Sequence, residues 1–167
     1  GSTEAHALHV VRRARRLPAV TVKIIGNCGD PSHVVKRACR EVSSGGMVHV
    51  VFDRDEHVHW KAALDRARAK RLSLGDSNPC FELWAILLHT DWARALSRKD
   101  AQSKVRKLDP GYDHAKNPYL TEKTILDGLE SAHARAEALL ARARRDDLDP
   151  HGNPTTRFHR VIAAIQT

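Results

Sequence analysis

The sequence predicts an α/β fold: a mostly parallel sheet flanked by helices, followed by a helical C-terminal portion. Three observations predict it. The run Met47-Val48-His49-Val50-Val51-Phe52 is apolar and valine-rich until it stops at Asp53-Arg54-Asp55-Glu56, the pattern of a strand buried on both faces. A β-branched segment, an amphipathic helix and this run follow in the order strand, helix, strand, which implies a right-handed parallel crossover. Beyond Asp91 the pattern is helical and basic. The expected division is a core over 1–90 and a helical extension over 91–167 packed on it.

Each element has its own local reason. Leu8, Val11 and Ala14 sit among arginines in an amphipathic helix from Thr3 to Leu17, ended by Pro18. Thr21-Val-Lys-Ile-Ile25 reads as a short strand and Gly26-Asn-Cys-Gly29 as its exit loop. Asp30-Pro31 caps the next helix, whose stripe is Val34, Val35, Ala38, Cys39 and Val42; Ser43-Ser-Gly-Gly46 then leads into the central strand. Trp60, Ala63, Leu64 and Ala67 mark another helix, with Lys61, Arg66, Arg68, Lys70 and Arg71 on its outer side. Leu72-Ser-Leu74 is a candidate third strand, and Gly75-Asp-Ser-Asn78 a turn.

Asn78-Pro79 is expected to open a helix that is apolar all round except for Glu82, and such a helix is buried. A carboxylate there needs a partner, either backbone N–H groups and an arginine, or a metal. Trp92, Ala95 and Leu96, then Val105 and Leu108, indicate one or two helices that stop at Asp109-Pro-Gly111. Tyr112 to Tyr119 reads as a polar loop and Thr121 to about Arg145 as one long helix. After a loop from Asp146 to Pro154, Phe158, Val161, Ile162 and Ile165 form a last helix.

Composition narrows the function. With 28 Lys and Arg against 20 Asp and Glu, a net charge of +8 favours an anionic partner, nucleic acid foremost, although the same residues could be solvated helix faces. The outer side of the Trp60 helix is a candidate phosphate-contacting surface: Lys61, Arg66, Lys70 and Arg71, extended by Arg54 and His57. Cys28, Cys39 and Cys80 lack metal-ligand spacing, so a reduced cytoplasmic protein is expected. Phe81 to Leu88 is too short to cross a membrane, and no signal peptide is expected.

The acids after the central strand carry the chemistry. An extended chain turns Asp53 and Asp55 the same way, at the carboxyl edge where open α/β sheets bind ligands. Two adjacent carboxylates repel unless a cation sits between them, and hard oxygen ligands suit Mg²⁺ or Mn²⁺. The plainer alternative is that Asp53, Asp55 and Glu56 favour the start of the following helix through its macrodipole.

Three stretches together resemble the RloB family of bacterial defence and restriction-associated proteins: Val51-Phe-Asp-Arg-Asp-Glu-His57, Ser77-Asn-Pro-Cys-Phe-Glu-Leu-Trp84 with His89, and Asn153-Pro-Thr-Thr156. The loop from Tyr112 to Lys116 is similar as well. The resemblance implies a Toprim-like fold, in which a glutamate after the first strand and an Asp-x-Asp after a later central strand hold a divalent ion. It places Asp53 and Asp55 in the second role. The first motif of such folds often runs Glu-Gly-x-Thr-Glu; here Gly1-Ser-Thr-Glu4 leaves only Glu4, and the first strand is expected to be missing from the core.

The resemblance therefore implies a Mg²⁺- or Mn²⁺-dependent nuclease acting on DNA or RNA as effector of an antiphage system. Asp53, Asp55 and Glu4 are the expected metal ligands, with Glu82 and Lys116 assisting catalysis. An AAA- or ABC-type ATPase partner is implied, and a homo-oligomer is compatible with it. Two other functions compete. A non-catalytic module would hold nucleic acid or a partner on its basic helices and use the acids as caps. A primase-like enzyme is the third, but no Gly-x-x-x-x-Gly-Lys phosphate loop is present.

Overall fold

The apolar stripes fold into helices, and most of the strand contacts are short. The computed structural model describes residues 2–16, 29–42, 47–54 and 57–166. In chain order the elements are α1 (Ser2–Ala14), α2 (Pro31–Glu41), β1 (His49–Val50), α3 (Trp60–Ala69), β2 (Ser73–Leu74), β3 (Ser77–Asn78), α4 (Glu82–His89), α5 (Arg98–Leu108), α6 (Glu122–Arg145), β4 (Thr155–Thr156) and α7 (Phe158–Ala164). Mixed helix and sheet is thus the architecture, with helix predominant. The predicted strand at Thr21 to Ile25, the turn at Ser43 to Gly46, and Cys28, Asp55 and Glu56 lie outside the described residues.

Local signals set the helix starts. The Asp30 carboxylate accepts from Ser32 N–H at 2.8 Å and Pro31 occupies the first turn, where its missing N–H costs nothing. Thr121 Oγ1 accepts from Thr124 N–H at 3.1 Å, and Ser97 Oγ from Asp100 N–H at 3.1 Å. Each cap is worth about 0.5–2 kcal/mol.

The central strand pairs in parallel with the chain that follows α3. His49 faces Ser73, Val50 faces Leu74, and the same register continues to an isolated bridge between Asp53 and Ser77. Backbone bonds carry the ladder forward: Gly75 N–H to Val50 O, Ser77 N–H to Phe52 O, and Arg54 N–H to Ser77 O, at 2.8, 3.1 and 2.8 Å. Ser77 also pairs antiparallel with Thr156, and Asn78 with Thr155. The last strand therefore lies beside the segment that touches Asp53.

Two apolar clusters form the interior. The first joins Val10 and Val11 of α1 with α4, with Val105 of α5, Ile125 and Ala136 of α6, and Phe158 and Ile162 of α7. The second packs Val35 and Ala38 of α2 with Val50, Phe52, Trp60, Leu64 and Leu72.

Three expectations are corrected. Asn78-Pro79 does not open a helix: Asn78 is in β3, and α4 starts at Glu82, because pairing with β4 claims the backbone of Ser77 and Asn78. Trp92 and Ala95 are not helical; Asn153 takes the place of a helical turn there, its Oδ1 accepting from Leu96 N–H at 3.2 Å and its Nδ2 donating to Leu96 O at 2.7 Å. Ser77-Asn78, read as the end of a turn from Gly75, is the strand β3, paired with Thr155-Thr156 of β4.

The helix α6 lies close against α4 at Gly128, where a Cβ would come 2.6 Å from Leu88 O and 2.8 Å from Leu88 Cβ. Both atoms belong to a fully packed helix and cannot swing away. Gly128→Ala should therefore destabilise the fold by about 1–3 kcal/mol despite alanine's better helix propensity. Urea unfolding followed by circular dichroism checks this; a midpoint at or above that of the wild type contradicts it.

Candidate active site

The parallel ladder ends at Asp53, which is half-buried at the carboxyl edge. Burial pushes its carboxyl well above the usual carboxylate range, and the charges of Glu4 and Glu82 push it further in the same direction. Those two come from other elements. Glu4 is buried in the first turn of α1, and Glu82 in the first turn of α4. Three carboxylates from three parts of the chain thus share one neighbourhood.

Glu82 is satisfied where Asp53 is strained. Tyr112 Oη–H donates to Glu82 Oε1 at 2.7 Å, and His114 Nδ1 lies 2.8 Å from the same oxygen. Burial alone would raise the Glu82 carboxyl, but hydrogen bonds from Tyr112 and Cys80 outweigh it and hold the group below its ordinary value. The Cys80 thiol and Tyr112 phenol are pushed up in turn by burial and by the Glu82 charge. Neither is an ionised nucleophile, so both serve as donors. The protein partners of Glu82 are therefore a phenol, a thiol, an imidazole and a backbone N–H, the last as the sequence suggested, with the phenol, thiol and imidazole in the role expected of an arginine.

The remaining expected residues distribute as follows. Lys116 is exposed in the turn that Asp113 ties together and that also carries Tyr112 and His114. Arg54 follows Asp53 but turns to the other face: its guanidinium stacks on Trp60 at 4.5 Å, donates to His151 O at 3.4 Å and lies 3.8 Å from Asp149. His57 is exposed 3.8 Å from the Asp30 carboxylate. Lys61 pairs with Asp65 at 3.3 Å, one turn along α3. Arg66, Lys70 and Arg71 are exposed. Asp55, the second expected metal ligand, lies outside the described residues. Among the described residues no group of three His, Cys, Asp or Glu side chains is gathered tightly enough to hold a metal ion.

Sequence reasoning missed a second polar cluster. His151 Nδ1 lies 2.5 Å from Asp76 Oδ2, and Arg68 Nη2 lies 2.6 Å from His151 Nε2. These distances make Nδ1–H the donor to Asp76 and Nε2 the acceptor from Arg68. Arg157 Nη1 shares the Asp76 carboxylate at 3.2 and 3.4 Å. No local signal could have found it, because Asp76 sat in a segment read as a turn and His151 in a loop 75 positions on.

The quoted motif stretches now prove to be neighbours: Asp53 bridges Ser77, and Ser77 pairs with Thr156. Residues 1–165 match the family of RloB-like proteins. The chain belongs to the RloB-like family. Neither the curated proteins nor the solved structures compared with it include a match. In this RloB-like chain Asp53, Ser77 and Thr156 meet at one end of a parallel ladder although they are far apart in sequence. No helix of the described residues is long and apolar enough to cross a membrane.

The Asp76 cluster predicts an acid response. Burial raises the Asp76 carboxyl, yet the His151 hydrogen bond and the Arg157 charge outweigh it and leave the group below its ordinary 3.8. A carboxyl depressed in the folded state stabilises above its unfolded value and loses that contribution as pH falls through the folded one. Asp76→Asn should therefore cost about 3–5 kcal/mol at neutral pH and flatten the decline of stability below about pH 4. Thermal melts between pH 7 and 2.5 measure both; equal acid slopes in wild type and variant would refute the assignment.

Proposed function

We propose that this RloB-like protein is a metal-dependent, Toprim-like nuclease that hydrolyses phosphodiester bonds of DNA or RNA as an effector of bacterial antiphage defence. The observation that carries this reading is the convergence of Glu4, Asp53 and Glu82, from three separate elements, at the carboxyl end of a parallel ladder. That edge is the usual ligand position of an open α/β sheet.

Carboxylate oxygens are the donors a hard divalent cation takes, and the ion would have to draw Asp53, Glu4 and Asp55 together, since among the described residues no three such side chains are gathered tightly enough to hold one. Burial and the charges of Glu4 and Glu82 disfavour the ionised form of Asp53, and a cation bound beside it would favour that form. Asp53, Asp55 and Glu4 would hold Mg²⁺ or Mn²⁺. When bound, such an ion supplies an activated water and stabilises the charged phosphoryl group. Glu82 contributes through its field, because Tyr112 and His114 already engage its carboxylate. Lys116, on the turn that carries Tyr112 and His114, would balance charge developing on the phosphate, whereas Arg54, on the face opposite Asp53, would contact the nucleic-acid backbone. Lys61, Arg66, Lys70 and Arg71 form the basic face for the nucleic-acid backbone, with His57 at its edge. The proposal includes a 1–90 catalytic core with a 91–167 extension, a cytoplasmic location, an AAA- or ABC-type ATPase partner and self-association.

A non-catalytic binding module is the competing reading. It is favoured by the saturation of Glu82, since a carboxylate with three protein donors needs no ion. The double variant Asp53→Asn/Asp55→Asn separates the two. For a nuclease, the variant should keep its fold and nucleic-acid affinity but lose calorimetric Mg²⁺ and Mn²⁺ binding and about 100-fold or more of its cleavage rate. A wild-type chain that binds neither ion and cuts neither DNA nor RNA would leave only the module.

A further inference from the structure

The corner around His151 collects more positive charge than its acids neutralise. Arg68 reaches His151 Nε2 at 2.6 Å, Arg157 lies 2.8 Å from Nδ1, and Arg54 donates to the His151 carbonyl at 3.4 Å. Two guanidiniums therefore reach the buried His151 imidazole and a third reaches its main-chain carbonyl. Facing them among the described residues are the fully buried Asp76, which Arg157 and His151 share, and Asp149, which lies 3.8 Å from Arg54 with its side chain more than half exposed.

Protein carbonyls hold these side chains in place. Arg157 Nη2 donates to Pro150 O at 2.6 Å, and Asn78 Nδ2 donates to the His151 carbonyl at 2.8 Å, so the loop after α6 is pinned to β3. Trp60 supports Arg54 from below at 4.5 Å, and its ring meets His151 edge-on. The arginines are thus preorganised, which lowers the entropy cost of binding. Each guanidinium has five N–H donors in a planar fork, and Arg54 and Arg68 spend few of them on the contacts above. Their side chains remain open to solvent, unlike that of Arg157.

We infer that Arg54, Arg68 and Arg157, arranged on His151, form a binding site for a backbone phosphate of a nucleic acid. Arg54 and Arg68 contact the phosphate, and Arg157 is a positioning residue that fixes His151 through Asp76. Asp149 Oδ1 accepts from His151 N–H at 2.9 Å while Oδ2 lies 3.8 Å from Arg54, so the carboxylate stays in place and leaves most of the Arg54 donors to the phosphate. Arg54 and Asp53 leave the same strand on opposite faces, so a nucleic-acid backbone held here lies across the strand from the acids, and the exposed Lys70 and Arg71 follow Arg68 in the chain. The identity of the anion rests on the nuclease reading; the site itself does not.

Binding without turnover tests it. Fluorescence anisotropy in EDTA, with a labelled mixed-sequence duplex DNA and a labelled single-stranded RNA, gives affinity and its salt dependence. Arg54→Gln and Arg68→Gln should each weaken binding by roughly fivefold or more and lower the salt slope by about 1. Lys123→Gln, on the outer face of α6 and paired with Asp127, should leave both unchanged. Circular dichroism melts confirm that the exposed-arginine variants fold. Variants that bind like the wild type with an unchanged slope overturn the site, as does a wild type that binds neither probe. If the wild type binds through these arginines but never cleaves with Mg²⁺, the nuclease reading fails and the phosphate site stands; intact cleavage with arginine-independent binding does the reverse.

Discussion

A charged group in an apolar helix is the constraint around which the structure is arranged. Every residue from Phe81 to Leu88 is buried, and Glu82 is among them. An unpaired carboxylate there would cost several kcal/mol, more than a domain of this size can spare. The chain answers with donors from both directions. Cys80 lies two residues before, and Tyr112 and His114 arrive from a turn beyond α5. That turn is itself tied down by Asp113, whose carboxylate accepts from the backbone N–H groups of Ala115 and Lys116. The position of α5 against α4 and the path into α6 thus follow from keeping one carboxylate ionised inside the core.

Charge is sorted by the alternation of the strand. Asp53 and Arg54 are consecutive, so their side chains leave the strand on opposite faces. Asp53 joins Glu4 and Glu82, while Arg54 joins Trp60, His151 and Arg68. The same alternation acts on the neighbouring segment, where Asp76 bonds His151 and Ser77 pairs with Asp53 and Thr156. One short ladder therefore feeds an acidic cluster and a basic one within two residues of each other.

Much of this was legible where the signal is local. The stripes of α2, α3 and α6 and the cap at Asp30 fall as the sequence indicates, apart from the exposed Val42, because helix periodicity and capping depend on residues within four positions. The acid-ended strand was readable in part: a valine run interrupted by Asp53 is a local pattern, but only Val50 and Phe52 of the run are buried and Met47 is exposed, so one face is buried and the other only in part. What failed depends on distant partners. Ser77-Asn78 and Thr155-Thr156 are too polar and short to announce strands, and they form only because they find each other. Trp92 and Leu96 have helical spacing, but the Asn153 amide takes the backbone of Leu96. Glu82 was recognisable as a buried acid needing a partner, whereas the partner's identity required knowing that a turn 30 positions on folds over it.

The distances in sequence have a consequence for how the site forms. Asp53 can meet Ser77 once α3 has closed a crossover of modest length, but Thr156 reaches Ser77 only across 79 positions, and His151 reaches Asp76 across 75. Closing such loops costs entropy that local contacts cannot return. The acidic side is assembled from segments before Asn117, while the basic side depends on the loop after α6. The two halves of the charge arrangement are therefore unequal in their dependence on the end of the chain. Loosening the segment from Pro150 to Arg157 would release Arg54, Arg68 and Asn78 together, because the carbonyls of Pro150 and His151 and the His151 ring hold that corner. Glu82, Tyr112 and His114 would keep their contacts, since none of those contacts runs through it.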